Sequence, residues 1–222
     1  MSAATITFEP GLASIIGMHS VVDRLTAGAV APLVAYRAGE LMSRPPSGVL
    51  IYGAAGCGVR TIAHALVSDV RGFGARSCGE LDAPEPLPDP VVWGDELLVG
   101  WSHRPWDLSI AVGEPGRFEL LVFVPPPDWD ARRFRAWELL ARAGFDSASV
   151  DQLVVATEGW SGSDIEALID ECGGVDEVLD RAANWRPTTW NWLIEARAGT
   201  VDGALARGTD DLRVYLDRYR LS

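Results

Sequence analysis

The residues from 53 to 61 have the types and spacing of a loop that binds phosphate. Gly53 and Gly58 are five positions apart, as in the pattern GxxxxGK(S/T), and Gly56 lies between them. The apolar run 49–52 predicts a strand before this loop, and a helix-forming segment follows it. Glycines allow backbone N–H groups to surround an anion at the N-terminus of a helix. The spacing therefore predicts a site for the phosphates of a nucleotide, and the loop is named the P-loop below.

Two side chains that this chemistry requires are absent from the P-loop. Val59 stands where a lysine that bridges the terminal phosphates is expected, and Arg60 stands where a hydroxyl would hold Mg²⁺. No neighbouring lysine can replace the lost one, because the sequence contains none. We therefore predict no metal site and poor ATP hydrolysis, while backbone N–H groups and the helix dipole still favour ATP or ADP. The alternative is a weak ATPase in which Arg60 and Thr61 replace the lost pair.

The composition excludes several classes of function. With 222 residues, of which 48% are apolar, the chain is expected to form one or two domains with a substantial core. A net charge of −12 argues against binding to nucleic acid or anionic lipid. No apolar run approaches the roughly 20 residues of a membrane span, and no secretion signal is visible at the start. The three widely spaced cysteines fit neither a disulfide framework nor a zinc site, so we expect a cytoplasmic protein.

The second half of the chain has helical periodicity. Asp128 follows three prolines and is expected to cap a helix. The side chains expected on the inner face of that helix are Ala131, Phe134, Trp137 and Leu140, with its arginines toward solvent. Ser161 and other capping residues, together with apolar repeats, predict three more short helices up to residue 183. The sequence therefore predicts a small helical bundle after an α/β unit.

Tryptophans are clustered near the end of the chain, at positions 185, 190 and 192. Clustered tryptophans are typical of hot spots that bind a partner protein. The simpler interpretation is that they hold the last helices against the preceding bundle.

The order of these features resembles an AAA-type ATPase module. The motifs that carry the resemblance are, in chain order, Thr7-Phe8, Ile16-Gly17, Pro45-Pro46-Ser47-Gly48, the P-loop, Pro115-Gly116-Arg117-Phe118, the run 121–128 with Ala131-Arg132, and the run 156–168. The motifs from 115 to 132 are similar to the family's connection between its ATPase core and its helical lid. The run 156–168 resembles the lid motif beside the nucleotide, and the run 186–193 is similar to the end of certain bacterial AAA ATPases.

The resemblance implies an α/β fold, with a P-loop three-layer core and a shortened parallel sheet, followed by an all-helical lid and a helical C-terminal tail. We expect the core at residues 1–127, the lid at 128–183 and the Trp-rich tail at 184–222. The shortening falls between residues 67 and 114, where the family places three strands, a pore loop and the Walker B acids. Fewer than 50 residues are present there, which is too few for all of these elements.

The resemblance also implies which residues meet the nucleotide. The P-loop would hold the phosphates, and residues 16–17 and 162–163 would surround the base. The predicted contacts are Ile16, Gly17, Gly53, Ala55, Gly56, Cys57, Gly58, Val59, Arg60, Thr61, Gly162 and Ser163.

Four residues are candidates for catalytic roles, and each has a structural alternative. Asp95 and Glu96 superficially resemble the Walker B acids, but a sensor-1-like strand follows without room for a crossover, so a surface turn is the alternative. His103 occupies the position of the sensor-1 asparagine, from which it would bond a phosphate or a water, or serve the fold alone. Arg117 occupies the second arginine-finger position, while Glu114 replaces the first finger. Arg117 would then complete a partner's site or form a salt bridge at an interface.

Losses at several independent catalytic positions predict a degenerate AAA protein, a pseudo-ATPase that works by binding. The expected partner is an intact AAA ATPase subunit or the client of that subunit, in a homo- or hetero-oligomer. Neither a nucleic acid nor a membrane is expected as a partner.

Overall fold

The structure is a computed structural model, and it describes residues 10–40, 44–81, 86–91, 96–202 and 210–218. The motif Thr7-Phe8 and the candidate Asp95 lie outside the described residues.

A four-stranded parallel sheet forms the centre of the first part of the chain. Its strands are β1 (Gly48–Tyr52), β2 (Ala75–Glu80), β3 (Leu97–Ser102) and β4 (Leu120–Phe123), in the order β2-β3-β1-β4. Strands β1 and β3 are buried along their whole length, because parallel strands in such a core are covered on both faces. The prediction of an α/β core with a shortened parallel sheet is confirmed.

Helices pack against this sheet. They are α1 (His19–Leu25), a π-helical segment (Thr26–Val30), α2 (Ala31–Arg37) and α3 (Val59–Val70). The glycine spacing predicts a nucleotide loop before α3, and the helix does begin directly after Gly58. Pro32 lies in the first turn of α2, where the missing N–H of proline is tolerated.

The stretch predicted to be shortened supplies two strands, β2 and β3. A 3₁₀ turn (Arg71–Phe73) leads from α3 to β2, and two further 3₁₀ turns (Pro105–Asp107 and Ile110–Gly113) lie between β3 and β4. In the described part of residues 67–114, no α-helix follows α3. The core therefore has fewer elements there than the three strands with helices that the family places in this stretch.

Four helices form the bundle that follows, and we refer to them as the lid. They are α4 (Trp129–Ala143), α5 (Val150–Ala156), α6 (Gly162–Asp170) and α7 (Val175–Ala182). They enclose a hydrophobic cluster of their own, distinct from that of the sheet. Asp128 caps α4 as predicted, since its side chain accepts a hydrogen bond from the backbone N–H of Ala131.

The predicted inner face of α4 is partly wrong. Phe134 and Trp137 are 44% and 51% exposed, whereas Arg132 is only 7% exposed. The buried side chains of α4 are Arg132, Ala136, Leu139 and Leu140. The guanidinium of Arg132 reaches back to donate to the carbonyl of Pro127 at 2.7 Å, so its charge lies beside the turn that precedes the helix. The buried face of a helix depends on the elements packed against it. The other lid helices cover a different face of α4 from the one that periodicity indicates.

The tail contains α8 (Thr188–Asp202) and α9 (Asp210–Arg218). Trp192 packs in the cluster of the sheet, and its ring lies 5.8 Å from that of Phe123 and 5.4 Å from that of Trp106. Trp185 instead stacks on Trp160 within the lid. The expectation that the tryptophans hold the tail against the lid is therefore wrong for Trp192. The division of the chain at residues 127 and 183 stays a prediction.

Candidate nucleotide site

The P-loop forms a turn between the end of β1 and the start of α3. Gly56 and Gly58 have φ values of +78° and +87°, which side chains with a Cβ rarely adopt. The N–H of Cys57 donates to the carbonyl of Ala54 at 3.2 Å and closes the turn. The first N–H groups of a helix lack partners within it, so the start of α3 presents donors and the positive end of the helix dipole. The backbone part of an anion site is therefore present.

A cleft of about 560 Å³ lies between the P-loop, the segment before α1 and the lid. Most of the predicted nucleotide contacts line it, namely Ile16, Gly56, Cys57, Gly58, Val59, Arg60, Thr61, Gly162 and Ser163. Gly17, Gly53 and Ala55 do not line this cleft. Gly17 lies against the cap of α4, where a Cβ would come within 2.3 Å of a carboxylate oxygen of Asp128.

The lid touches the P-loop directly. The N–H of Gly162, at the start of α6, donates to the carbonyl of Gly56 at 3.0 Å. A Cβ at Gly56 would lie 2.6 Å from the hydroxyl of Ser163 and 2.8 Å from that of Ser161. Gly56 is therefore needed both for its backbone conformation and for the close approach of the lid.

A buried carboxylate fixes the position of this end of α6. Asp164 is 4% exposed and accepts hydrogen bonds from the N–H and hydroxyl of Ser161. The same carboxylate accepts from the N–H and hydroxyl of Thr188, the first residue of α8. The predicted cap at Ser161 is confirmed as a capping box. Asp164 thus joins the lid helix that contacts the P-loop to the start of the tail.

The position expected for a lysine is filled by a buried apolar side chain. Val59 is 1% exposed, and one of its methyl groups lies 3.2 Å from where a Cβ on Gly53 would be. Arg60 is exposed on α3, with its Nε 3.5 Å from Nε2 of His64. Thr61 is also exposed and lines the cleft.

Cys57 is a buried residue of the P-loop rather than an exposed thiol. Burial, together with the negative charge of Asp164, raises the pKa of the Cys57 thiol far above its ordinary value. The thiol therefore stays protonated at neutral pH, as expected for a filler of the loop.

Glu96 does not occupy a Walker B position. It directly precedes β3, at the end of the sheet opposite the P-loop, because β1 and β3 are parallel and the P-loop follows β1. Its carboxylate pairs with Nε of Arg76 at 3.0 Å. This placement contradicts a catalytic role for Glu96 and agrees with its structural alternative.

Arg117 is engaged within its own chain. Its side chain is 17% exposed, its Nη1 donates to the carbonyl of Pro88, and its Nε lies 4.0 Å from the carboxylate of Glu114. An arginine finger needs a guanidinium that extends to the neighbouring nucleotide. The contacts argue against a free arginine finger in this conformation, and they lie within the chain, so the salt bridge at an interface stays a prediction.

His103 lies at the edge of the sheet from which the P-loop emerges. It follows β3, lines the cleft, and its Nδ1 is 2.9 Å from the carbonyl oxygen of Gly53. A carbonyl only accepts, so Nδ1 carries the proton of this bond. Its Nε2 faces the carboxylate of Glu80, at 3.7 Å, at the carboxyl end of β2.

Two charged residues near the cleft, Glu80 and Arg135, have no functional signal in the sequence. Glu80 ends a half-exposed strand of mixed sequence whose alternation gives no strand signal, so its position depends on the pairing of β2 with β3. Arg135 lines the cleft from α4, with its terminal nitrogens 2.7 Å from carboxylate oxygens of Glu138 and Glu166. The periodicity of α4 predicts that Arg135 points to solvent, and this is only partly correct because Arg135 also lines the cleft.

The described residues contain neither a membrane-spanning helix nor a cluster of metal ligands. No helix among them is long and apolar enough to cross a membrane. No group of three or more His, Cys, Asp or Glu residues in the described ranges is arranged to hold a metal ion.

Comparison with known proteins gave both sequence relatives and structural neighbours. No family model matches this sequence. The chain is 37% identical over 95 residues to a cell division cycle protein 48 homolog of Archaeoglobus fulgidus, a match that covers 42% of this chain and 12% of that protein. It is 26% identical to the proteasome-activating nucleotidase of Pyrococcus abyssi, over 58% of this chain and 47% of the relative. The matches thus span less than half the length of either relative.

The fold matches solved structures over most of its length. The crystal structure of the FIGL-1 AAA domain aligns with a TM-score of 0.67 at 18% identity, covering 89% of this chain and 90% of the other. The same domain in complex with ADP aligns with a TM-score of 0.66 at 18% identity, covering 88% and 91%. At this identity the likeness concerns the fold.

Proposed function

We propose that this chain, whose fold and sequence are similar to those of AAA-type ATPases, binds ATP or ADP without hydrolysing ATP efficiently and acts as a binding or regulatory subunit, a pseudo-ATPase. The observation that carries the proposal is the burial of Val59, 1% exposed, where a P-loop lysine would stand. Without that cation, the charge that develops on the transferred phosphoryl group is not offset from the P-loop.

Three observations support nucleotide binding. The cleft of about 560 Å³ has the size typical of small-molecule sites and includes most of the predicted contacts. The P-loop keeps its positive-φ glycines and the helix N-terminus behind them, which bind phosphate through backbone groups alone. The FIGL-1 AAA domain, which shares this fold, has been solved in complex with ADP.

Calorimetry with ADP and a steady-state assay of ATP turnover test the proposal. We expect heat of binding for ADP and ATP turnover well below about 1 s⁻¹, the low end for ordinary enzymes. Turnover at or above that rate would overturn the pseudo-ATPase assignment, and no heat up to millimolar ADP would overturn nucleotide binding.

A pair of glycine variants localises the binding to the cleft. Gly56→Val puts a side chain against Ser161 and Ser163 and forces the backbone out of its positive φ, so we expect ADP binding to be lost. Gly113→Ala is the matched control, because nothing lies within 4 Å of its added Cβ and the affinity for ADP should be unchanged. Equal effects of the two variants would place the ADP elsewhere.

A weak ATPase is the second candidate function, because Arg60 and Thr61 both line the cleft. In that case Arg60 would replace the lost lysine and Thr61 the lost hydroxyl. Arg60→Ala should then abolish any measured ATP turnover, and unchanged turnover would exclude this candidate.

The partner proposed for this chain is an intact AAA ATPase subunit or the client of that subunit, met in the cytoplasm within an oligomer. Support comes from the likeness of the fold to an AAA domain and of the sequence to a proteasome-activating nucleotidase. Affinity purification from the native host, followed by mass spectrometry, should recover a protein with a complete P-loop or one of its clients. Recovery of neither would overturn the proposed partnership.

A further inference from the structure

A second cavity, of about 750 Å³, adjoins the nucleotide cleft and has the size typical of small-molecule sites. It lies between the segment before α1, one face of α4 and the start of α5, and its apolar lining includes Ile15, Ile16, Phe134, Trp137 and Val150. Ile15, Ile16 and Phe134 line both cavities. The two are therefore direct neighbours, and we refer to the second one as the side cavity.

The side cavity exposes large apolar side chains to solvent. Ile16, Phe134 and Trp137 are 45%, 44% and 51% exposed. The rings of Phe134 and Trp137 lie 6.3 Å apart, one turn from each other on α4. Large apolar side chains are usually buried, and a group of exposed ones marks a binding surface. The cavity therefore offers aromatic and aliphatic contacts to an apolar group.

The side cavity lies at the end of the cleft where a base would sit. The P-loop and the start of α3 take the phosphates through backbone N–H groups, which leaves the base to the walls formed by Ile16 and α4. Gly17, predicted to lie beside the base, lines the side cavity and not the cleft. In adenine, the ring that carries the amino group is the one farther from the ribose and the phosphates. A group on that amino nitrogen would therefore extend from the cleft into the side cavity.

We propose that the ligand of this site is an adenine nucleotide with an apolar group on the amino nitrogen of its base, and that the side cavity holds this group. The inference rests on the proposed nucleotide function and names the class of nucleotide. It leaves the phosphates on the P-loop.

The charges around the side cavity favour an apolar group over an ionic one. One carboxylate, that of Asp130, and one guanidinium, that of Arg133, line it. Nε of Arg133 is 2.8 Å from a carboxylate oxygen of Asp151, so its charge is already compensated. The lining thus has no excess of either sign to attract an ionic substituent, whereas the rings of Phe134 and Trp137 are open to contact.

Calorimetry on the full chain can compare ADP with N⁶-benzyl-ADP, which carries a benzyl group on the amino nitrogen. We expect N⁶-benzyl-ADP to bind about tenfold or more tightly than ADP, because the benzyl group leaves water and contacts the exposed rings. Equal or weaker binding of N⁶-benzyl-ADP would refute the inference and leave the exposed rings to another occupant, such as a partner protein.

Two tryptophan variants, checked for folding by circular dichroism, locate the benzyl group. Trp137→Ala removes a ring from the side cavity and should lower the ratio of the two affinities about threefold or more. Trp129→Ala is the matched control, since Trp129 lies on the same helix, is 45% exposed and lines neither cavity. Its ratio should be unchanged, and equal ratios in the two variants would contradict the side cavity as the place of the benzyl group.

The two ligands separate this inference from the proposed function. Binding of ADP without tighter binding of N⁶-benzyl-ADP sinks the inference and leaves the proposed function standing. Binding of N⁶-benzyl-ADP alone supports the inference, and unsubstituted ADP is then not the ligand. Binding of neither overturns the nucleotide function itself.

Discussion

Val59 is the side chain whose placement matters most to the chemistry of this chain. It is buried beneath the turn at Gly53, and the arginine next to it lies on the exposed face of α3. The groups that the loop offers to an anion are its backbone N–H groups and the N-terminal end of α3. A backbone site of this kind binds an anion but adds little that grows stronger in a transition state.

Returning the lysine should strengthen binding more than it restores hydrolysis. Val59→Lys adds one charge-assisted contact to the phosphates, worth about 1.5–3 kcal/mol, so we expect ADP to bind about tenfold or more tightly by calorimetry. ATP turnover should stay low, because the variant still has Arg60 at the position where a Ser or Thr hydroxyl would hold Mg²⁺.

His64→Lys is the matched control for that experiment. It adds the same charge to the exposed side of α3, outside the cleft, and should change the affinity for ADP less than about twofold. A similar gain in both variants would mean that the added charge acts at long range and that the loop does not hold the phosphates.

The cysteines differ in their expected reactivity. Burial raises the pKa of the thiols of Cys57 and Cys78, and Cys57 is the more deeply buried of the two. A raised thiol pKa leaves less thiolate at neutral pH, so alkylation is slowed. Native labelling with iodoacetamide, read by peptide mass spectrometry, should therefore modify Cys78 before Cys57. The reverse order would contradict the burial of the P-loop thiol.

Helix α6 connects the lid to both the P-loop and the tail. Its first N–H bonds the P-loop carbonyl of Gly56, its cap is Ser161, and its Asp164 also receives the start of α8. A helix end held by so many hydrogen bonds has little freedom to shift alone. The position of the lid over the cleft is therefore set largely at this point.

Removing the carboxylate of Asp164 should loosen that connection. Asp164→Ala removes the buried acceptor of the Ser161 and Thr188 donors and leaves those of the buried Ser161 without a partner, so we expect the free energy of unfolding to fall by about 2–4 kcal/mol. Chemical denaturation measures this loss. Asp170→Ala, at an exposed position on the same helix, should cost less than about 1 kcal/mol. Equal losses would contradict the role assigned to the buried network.

Across the molecule, the tail returns from the lid to the sheet. Trp192 packs against Phe123 and Trp106, and its Nε1 donates to the carbonyl of His103 at 2.5 Å. Leu212 and Leu216 of α9 are buried in the same cluster. The tail therefore supports the edge of the sheet that carries His103 and adds to the core, while its first residues stay joined to the lid.

Trp192→Ala should be costly for the whole fold. Loss of a buried tryptophan of this kind lowers the free energy of unfolding by about 3–5 kcal/mol, as large-to-small changes in cores do. Trp190→Ala, at a side chain that is 45% exposed, should cost less than about 1 kcal/mol. Denaturation followed by tryptophan fluorescence and circular dichroism compares the two, and similar losses would argue against a core position for Trp192.

The features that depend on residues close together in the chain were predictable from the sequence. Glycine spacing predicts the P-loop, because only particular residues adopt its backbone conformation, and the absence of lysine is visible in the letters alone. An apolar run predicts β1, since a strand buried on both faces has few polar residues, and the resemblance to a sensor-1 strand predicts β3. Asp128 and Ser161 predict the starts of lid helices, because caps act within a few residues along the chain.

The amino-acid sequence by itself determined the α/β class, the P-loop without its lysine and the caps of the lid, because each depends on neighbours along the chain. Tertiary structure alone decided that Glu80 lies beside His103, that Arg132 is buried while Phe134 and Trp137 are exposed, and that Trp192 joins the core. Strand order and the covered side of a helix are set by contacts between residues far apart in the chain. Composition and periodicity do not encode those contacts.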